Sequence, residues 1–116
     1  MKKNINKFSV ILPVINETFS LEKTIEIIIT ENSNYIKEII IITSKSKTLD
    51  KSFISIENIK SKYPNIIFQY NQDLPFIGGA IQKGFEMCSG SHVIMMASDL
   101  ETDPSDVKNL IYKTKS

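Results

Sequence analysis

Short apolar runs and stretches of helical periodicity alternate along the chain. Four runs are rich in apolar and β-branched residues, which is typical of buried strands, and they cover residues 8–14, 39–43, 66–70 and 93–97. After each run, apolar residues recur every three or four positions, which predicts an amphipathic helix. The sequence therefore predicts the element order β-α-β-α-β-α-β-α.

Several residues indicate where the predicted helices begin and end. Ser20 is placed to cap the first helix and Pro64 stops the second. Gly78-Gly79 opens the third helix, Gly90 closes it, and Pro104 begins the fourth. The positions predicted to face inward are Leu21, Ile25, Ile28 and Ile29 in the first helix, Leu49, Phe53, Ile56 and Tyr63 in the second, Ile81, Phe85 and Cys88 in the third, and Val107, Leu110 and Ile111 in the fourth.

The strands are apolar along their whole length, so both of their faces are expected to be covered. That pattern favours a parallel sheet between two helix layers. Right-handed crossovers then give a doubly wound α/β fold, most simply with the strand order 3-2-1-4. With 116 residues, the chain is long enough for one domain with a single core, and residues 1–116 are taken as that domain.

Two polar segments follow the first and fourth strands, where a sheet of this order binds its ligands. They are residues 13–17, Pro-Val-Ile-Asn-Glu, and residues 98–103, Ser-Asp-Leu-Glu-Thr-Asp. The order in which the chain adds strands to the sheet reverses between these two strands. Ligands of doubly wound sheets bind at the carboxyl ends of such a pair. The pattern alone therefore predicts a binding site formed by both segments.

The acidic side chains after the fourth strand are candidate ligands for Mg²⁺ or Mn²⁺, which prefer carboxylate, water and phosphate oxygens. Asp99 and Glu101 are two residues apart, so in an extended segment their side chains point the same way. The alternative is a solvated acidic turn without a metal. Asp103 directly precedes Pro104 and is interpreted as a helix cap.

Composition excludes some classes of function. The net charge is +1 with no basic stripe, so no nucleic-acid partner is expected. Cys88 is the single cysteine, and the longest apolar run is far below the roughly 20 residues of a membrane helix. The expected location is therefore the cytoplasm. Gly78-Gly79 could cradle a phosphate, although close packing of the helix against the sheet is the favoured interpretation.

Three segments together resemble family 2 glycosyltransferases of GT-A fold, including the polyprenyl- and dolichyl-phosphate sugar synthases. Residues 9–17 are similar to the first strand of that family, which ends in P-x-x-N-E. Gly78-Gly79-Ala80 with Gly84 resembles its GGAxxxG helix, and residues 96–104 resemble its D-x-D segment. The likeness runs from about Phe8 to Ile111.

The resemblance implies that the site binds a nucleoside diphosphate sugar with Mg²⁺ or Mn²⁺. The sugar would pass to a saccharide or lipid-phosphate acceptor while the metal stabilises the leaving phosphate. Asp99 and Glu101 would be the metal ligands. The substrate-binding residues implied by the resemblance are Pro13, Val14, Asn16, Glu17, Thr43, Ser44, Gly79, Ser98 and Asp99.

The chain departs from the family pattern at two positions. Ala97 stands where the first D-x-D aspartate is expected, and Thr43-Ser44 stand where the second strand carries acids that contact the base. The chain is also short for the family, so we expect a donor-binding part at the N-terminus of a longer glycosyltransferase, inactive in isolation. Any membrane contact is then expected only through a C-terminal part beyond this sequence.

Two other classes of protein remain as alternatives. The first is a non-catalytic nucleotide-binding or regulatory module of the same fold. The second is a receiver-like domain, which needs an acidic pair after the first strand, whereas Glu17 has no adjacent acid. The latter also needs an Asp after the third strand, which here ends in Tyr70-Asn71-Gln72-Asp73.

Overall fold

A computed structural model describes residues 7–115, in which strands and helices alternate in the predicted order. The helices cover the sheet on both of its faces, as expected for a doubly wound α/β fold. The elements are β1 (Phe8–Val14), α1 (Phe19–Asn32), β2 (Ile36–Thr43), α2 (Asp50–Lys62), β3 (Ile67–Asn71), α3 (Phe76–Met87), β4 (His92–Met95) and α4 (Asp106–Lys115).

The sheet has the strand order β3-β2-β1-β4, and every neighbouring pair is parallel, which confirms the predicted topology. Val14, Thr43 and Asn71 are register partners at the carboxyl ends of β1, β2 and β3. β4 is shorter, and its last residue, Met95, lies opposite Ile11. β1 therefore runs three residues beyond the end of β4.

Alternate residues of β1 face different helix layers. Val10 and Leu12 pack into the cluster formed with α1, α2 and α4, whereas Ile11 packs into the smaller cluster under α3. All three are fully buried, as expected for a strand covered on both sides. The buried helix residues on the larger side are Leu21, Ile25, Ile28, Ile29, Ile56, Ile59, Val107 and Ile111.

Several helix boundaries differ from the predicted ones. Helix α1 begins at Phe19 after Thr18 and has no side-chain cap, so the prediction that Ser20 caps it is wrong. Gly78-Gly79 lies inside the first turns of α3, which begins at Phe76. Helix α4 begins at Asp106, because a hydrogen-bonded turn precedes it. Boundaries are the least certain part of a sequence pattern because local capping contacts decide them.

The inward face of α3 lies one position away from the predicted one. Phe85 was predicted to face inward but is 54% exposed, whereas Ala80 and Gly84 are buried. A Cβ on Gly84 would lie 2.6 Å from Ile11 Cγ2, so this helix approaches the sheet through its smallest residues. Leu49 and Leu110 were likewise predicted inward but are 45% and 46% exposed. Leu49 directly precedes α2, and Leu110 lies on a side of α4 that is open to solvent.

A buried carboxylate secures the amino-terminal edge of the sheet, opposite the predicted site. Glu38 of β2 accepts a hydrogen bond from Ser9 Oγ at 2.6 Å and one from the backbone N–H of Ser89 at 2.6 Å. Gly90 N–H in turn donates to Ser9 Oγ at 2.8 Å. These contacts fix the loop between α3 and β4 and satisfy polar groups that would be costly to bury unpaired.

The packing of α3 is tested by comparing Gly84→Ala with Gly78→Ala. Gly84→Ala forces a methyl group against Ile11, and overpacking of this kind costs about 1–3 kcal/mol of the free energy of unfolding. Gly78 has no atom within 4 Å of a built Cβ, so Gly78→Ala should be neutral or stabilising by up to about 1 kcal/mol. Urea denaturation measures both values, and equal stability of the two variants would contradict the packing described here.

Candidate functional site

β1 and β4 no longer pair at Pro13, so the sheet is open between these two strands at its carboxyl edge. Ile11 O accepts from Met96 N–H at 3.2 Å, so the odd-numbered residues of β1 direct their backbone groups towards β4. Pro13 is the next such residue, and it has no N–H to offer. Pro13 therefore lacks a backbone N–H at the position where β4 no longer pairs with β1. No N–H of β1 is left unpaired at this position.

A largely apolar cavity of about 280 Å³ lies between the ends of β1 and β2 and the beginning of α3. Its polar lining residues are Ser44, Lys47 and Gln72. Ligand pockets are commonly apolar with a few placed polar groups, and this cavity is close to the lower end of their usual size. The apolar lining residues are Pro13, Val14, Ile15, Ile42, Phe76, Ile77 and Ala80.

Glu17 shapes the loop that follows β1. Its Oε1 accepts from the backbone N–H groups of Ile15 at 2.9 Å and Asn16 at 3.2 Å. This carboxylate therefore folds back on the turn, while the Asn16 side chain is exposed. The predicted site residues of this segment do lie together at the open edge, with Glu17 holding the turn and Asn16 facing outward.

Thr48 ties the loop after β2 to the end of β1. Its hydroxyl donates to Val14 O at 2.7 Å and accepts from Ser44 N–H at 2.8 Å. The backbone N–H of Leu49 also donates to Ile15 O at 2.8 Å. These bonds hold Ser44 beside the last residue of β1, where it lines the cavity.

Thr43 and Ser44 are placed differently. Thr43 is 0% exposed and its hydroxyl lies 2.5 Å from Asn71 Oδ1, so that hydroxyl is committed to β3. The expectation that both hydroxyls would face a ligand therefore requires correction, because strand pairing buries Thr43. Ser44 lines the cavity, although its Oγ also accepts from Lys47 N–H at 3.3 Å.

Gly79 is a buried packing residue. Its N–H donates to Pro75 O at 3.3 Å, which removes the backbone donor that a phosphate would need. A Cβ at Gly79 would lie 1.8 Å from Leu74 O, so no other residue fits there. The expectation that Gly79 binds the ligand directly therefore requires correction. Gly79 has a supporting role, because it permits the loop before α3 to fold tightly.

The acidic segment after β4 is a turn, which corrects the extended geometry expected from its spacing. Leu100 has a φ of 68°, in the left-handed region that non-glycine residues rarely adopt. Asp99 Oδ1 accepts from the backbone N–H of Glu101 at 3.0 Å. The side chains of Asp99 and Glu101 are both exposed. Backbone strain of this kind is concentrated at functional sites.

Ser98 and Asp103 flank this turn. Ser98 is 0% exposed and its hydroxyl has no hydrogen-bond partner among the described residues. Asp103 Oδ1 accepts from Ser105 N–H at 3.0 Å, and its carbonyl accepts from Asp106 N–H at 2.9 Å. Asp103 thus caps the turn that leads into α4, in keeping with the interpretation of this residue as a cap.

Within residues 7–115, no group of three or more His, Cys, Asp or Glu side chains could hold a metal ion. An ion bound at Asp99 and Glu101 would therefore need further oxygen ligands from water or from a phosphate. Mg²⁺ and Mn²⁺ are commonly bound in that way. The same part of the chain contains no helix long and apolar enough to cross a membrane.

Sequence reasoning missed four residues at the open edge. Lys47, Thr48, Gln72 and Phe76 line the cavity or hold its loops. The only available signal was the run of polar residues directly after β2. Gln72 lies in the loop between β3 and α3, and Phe76 is the first residue of α3. No periodicity indicates the direction of a side chain at these positions.

The sequence model of glycosyl transferase family 2 matches residues 9–116. A dolichol-phosphate mannosyltransferase from Pyrococcus furiosus is 27% identical over 110 residues, which are 95% of this chain and 30% of that protein. The chain thus spans about a third of the length of this relative.

Two solved structures share the fold at lower sequence identity. One is a mannosyltransferase from Pyrobaculum calidifontis in complex with GDP-mannose and Mn²⁺, with a TM-score of 0.74 and 17% identity over 93% of this chain and 32% of the other. The second is glucosyl-3-phosphoglycerate synthase from Mycobacterium tuberculosis with Mn²⁺, UDP and phosphoglyceric acid. Its TM-score is 0.70 at 22% identity, over 94% of this chain and 39% of that one.

The link between the β2 loop and β1 is tested by Thr48→Val. Valine keeps the shape of the side chain but leaves Ser44 N–H and Val14 O without their partner, at an expected cost of about 1–3 kcal/mol of the free energy of unfolding. Thr30→Val, at an exposed position of α1, is the control and should change stability by less than about 0.5 kcal/mol. Chemical denaturation compares them, and an unchanged Thr48→Val would show that this hydroxyl does not hold the loop.

Proposed function

Because this chain belongs to glycosyl transferase family 2, we propose that it binds a nucleoside diphosphate sugar with a divalent metal and contributes the donor half of a sugar transfer reaction. The observation that carries the proposal is that the cavity at the ends of β1 and β2 and the strained acidic turn after β4 lie at the same carboxyl edge of the sheet. Ligands of open parallel sheets bind at such an edge.

The nucleoside would occupy the cavity between β1, β2 and α3. Pro13 and Val14 form part of its apolar wall, and Ser44 supplies a hydroxyl at its lining. Asn16 is exposed on the adjoining loop, and Glu17 holds that loop in shape. In this arrangement Thr43 contributes by fixing the end of β2, since its own hydroxyl is committed to Asn71.

The metal would be held by Asp99 and Glu101, whose carboxylate oxygens suit a hard ion such as Mg²⁺ or Mn²⁺. The buried hydroxyl of Ser98, which has no hydrogen-bond partner among the described residues, supports this fit, because such an atom is commonly satisfied by a water or an ion. Asp99 uses only Oδ1 in the turn, which leaves Oδ2 to face an ion. When bound, the metal would neutralise charge on the leaving diphosphate.

The acceptor is proposed to be a lipid phosphate, with a saccharide as the alternative. The curated relative is a dolichol-phosphate mannosyltransferase, which supports the first choice. A phosphate oxygen is already anionic and needs little help from a general base. We further propose a cytoplasmic location, since a lone free thiol such as Cys88 is common in reducing compartments.

Substitutions in the acidic turn separate metal binding from helix capping. Asp99→Ala and Glu101→Ala should each weaken Mn²⁺-dependent binding of UDP or GDP by about tenfold or more, because each removes a charged ligand. Asp103→Ala should leave that affinity unchanged and lower the free energy of unfolding by roughly 0.5–2 kcal/mol, as the loss of a cap does.

Calorimetric titration with and without Mn²⁺ gives the affinities, and thermal melts without metal give the stabilities. Binding that survives in both Asp99→Ala and Glu101→Ala would remove the metal assignment. Loss of binding in Asp103→Ala, with Glu101→Ala unaffected, would transfer the second ligand position to Asp103.

A further inference from the structure

Phe76 adopts a backbone conformation that phenylalanine avoids. Its φ is 65°, and a bulky residue in this left-handed region is a genuine outlier. Its side chain is also 79% exposed, so the strain is not offset by burial of the ring in the core. Strain without a packing benefit persists only where the surrounding structure imposes it, and it clusters at ligand-binding sites.

Gln72 holds the backbone at and just before Phe76. Its Nε2 donates to Leu74 O at 2.7 Å and to Phe76 O at 2.8 Å, so both amide hydrogens hold the loop that leads into α3. Gly79 closes the same loop from the other side, because Leu74 O lies where its Cβ would be. Gln72 and Gly79 thus fix the loop that leads to Phe76.

Phe76 also borders the cavity described above. Phe76 lines that cavity together with Pro13 and Val14, which belong to β1 on its other side. The adjoining depression beside the loop after β2 is lined by Phe76 as well, together with Ser44 and Lys47. An exposed aromatic side chain at an apolar cavity, with polar groups nearby, suits a ligand that carries a flat, neutral ring attached to a charged group.

We propose that Phe76 stacks on the nucleobase of the donor and that Gln72 is the positioning residue that holds the ring for this contact. The inference rests on the proposed function and adds the residue that recognises the base. Stacking on an aromatic ring tolerates any base, because every base has a π-face. In this chain Thr43-Ser44 replace the acids that the family pattern places at the end of the second strand. Stacking on Phe76 would provide affinity for the base in their absence.

The direct test compares nucleotides with inorganic pyrophosphate, which has no base. Phe76→Ala should weaken Mn²⁺-dependent binding of both UDP and GDP by roughly 5- to 150-fold, as loss of one base–aromatic stack does. Pyrophosphate affinity should not change, and Phe76→Tyr should retain nucleotide affinity. Phe85→Ala, which truncates a 54% exposed phenylalanine of the same helix, should bind like the original chain.

Gln72→Leu tests the positioning role, because it removes both amide hydrogen bonds. It should lower UDP and GDP affinity but leave pyrophosphate affinity unchanged, and it should add nothing further in the Phe76→Ala background. Phe76→Gly keeps the fold accessible, since glycine adopts positive φ without strain and its melting temperature should not fall. It should nevertheless bind nucleotides as weakly as Phe76→Ala.

The outcomes distinguish this inference from the proposed function. If the original chain binds neither UDP nor GDP, the proposed function itself fails. If it binds both and Phe76→Ala binds them equally well, only the stacking role is overturned. Equal loss of pyrophosphate and nucleotide affinity in Phe76→Ala would show that Phe76 supports the structure and does not contact the base.

Discussion

The central strand β1 is buried on both faces, and the way it ends determines the geometry of the site. β4 leaves the sheet opposite Ile11, while β2 follows β1 as far as Val14. Where β4 stops pairing, the next residue of β1 would normally have an unpaired backbone N–H. Pro13 has no N–H, so this unpaired donor does not arise. The opening at this edge is therefore achieved without the free-energy cost of burying an unsatisfied donor. The loop after β1, which lines the cavity, and the acidic turn after β4 both begin at this opening.

Side chains that bond to the backbone hold these loops in place. Thr48 joins the ends of β1 and β2, Glu17 closes the turn after β1, and Gln72 closes the loop before α3. The two non-glycine residues with positive φ among the described residues, Phe76 and Leu100, are both in this region. Such strain lowers stability, so its position beside the cavity and in the acidic turn is consistent with a functional constraint. The family assignment and the strained, cavity-lined carboxyl edge of the sheet therefore both support the proposal that a nucleoside diphosphate sugar binds there.

Periodicity predicted the strand order and both helix layers because the strands are apolar along their length and the crossovers have one favoured hand. It could not predict the inward face of α3, since glycine and alanine carry little hydrophobic signal although Gly84 packs directly against Ile11. The apolar pattern placed Asp99 and Glu101 directly after the fourth strand, but it could not reveal the left-handed Leu100 that turns the segment. Phe76 was missed because an aromatic residue is ordinarily expected in the core.

Paramagnetic broadening by Mn²⁺ tests the central claim, that a nucleoside diphosphate and a metal bind together at the carboxyl edge. The 7 residues of β1 separate the two edges by about 20 Å, and the broadening falls steeply with distance. With UDP or GDP present, amide signals of Asn16 and Glu101 should disappear first, while those of Ser89 and Gly90 at the amino edge persist. Broadening centred on Ser89 and Gly90, or a pattern that does not change when nucleotide is added, would contradict this account.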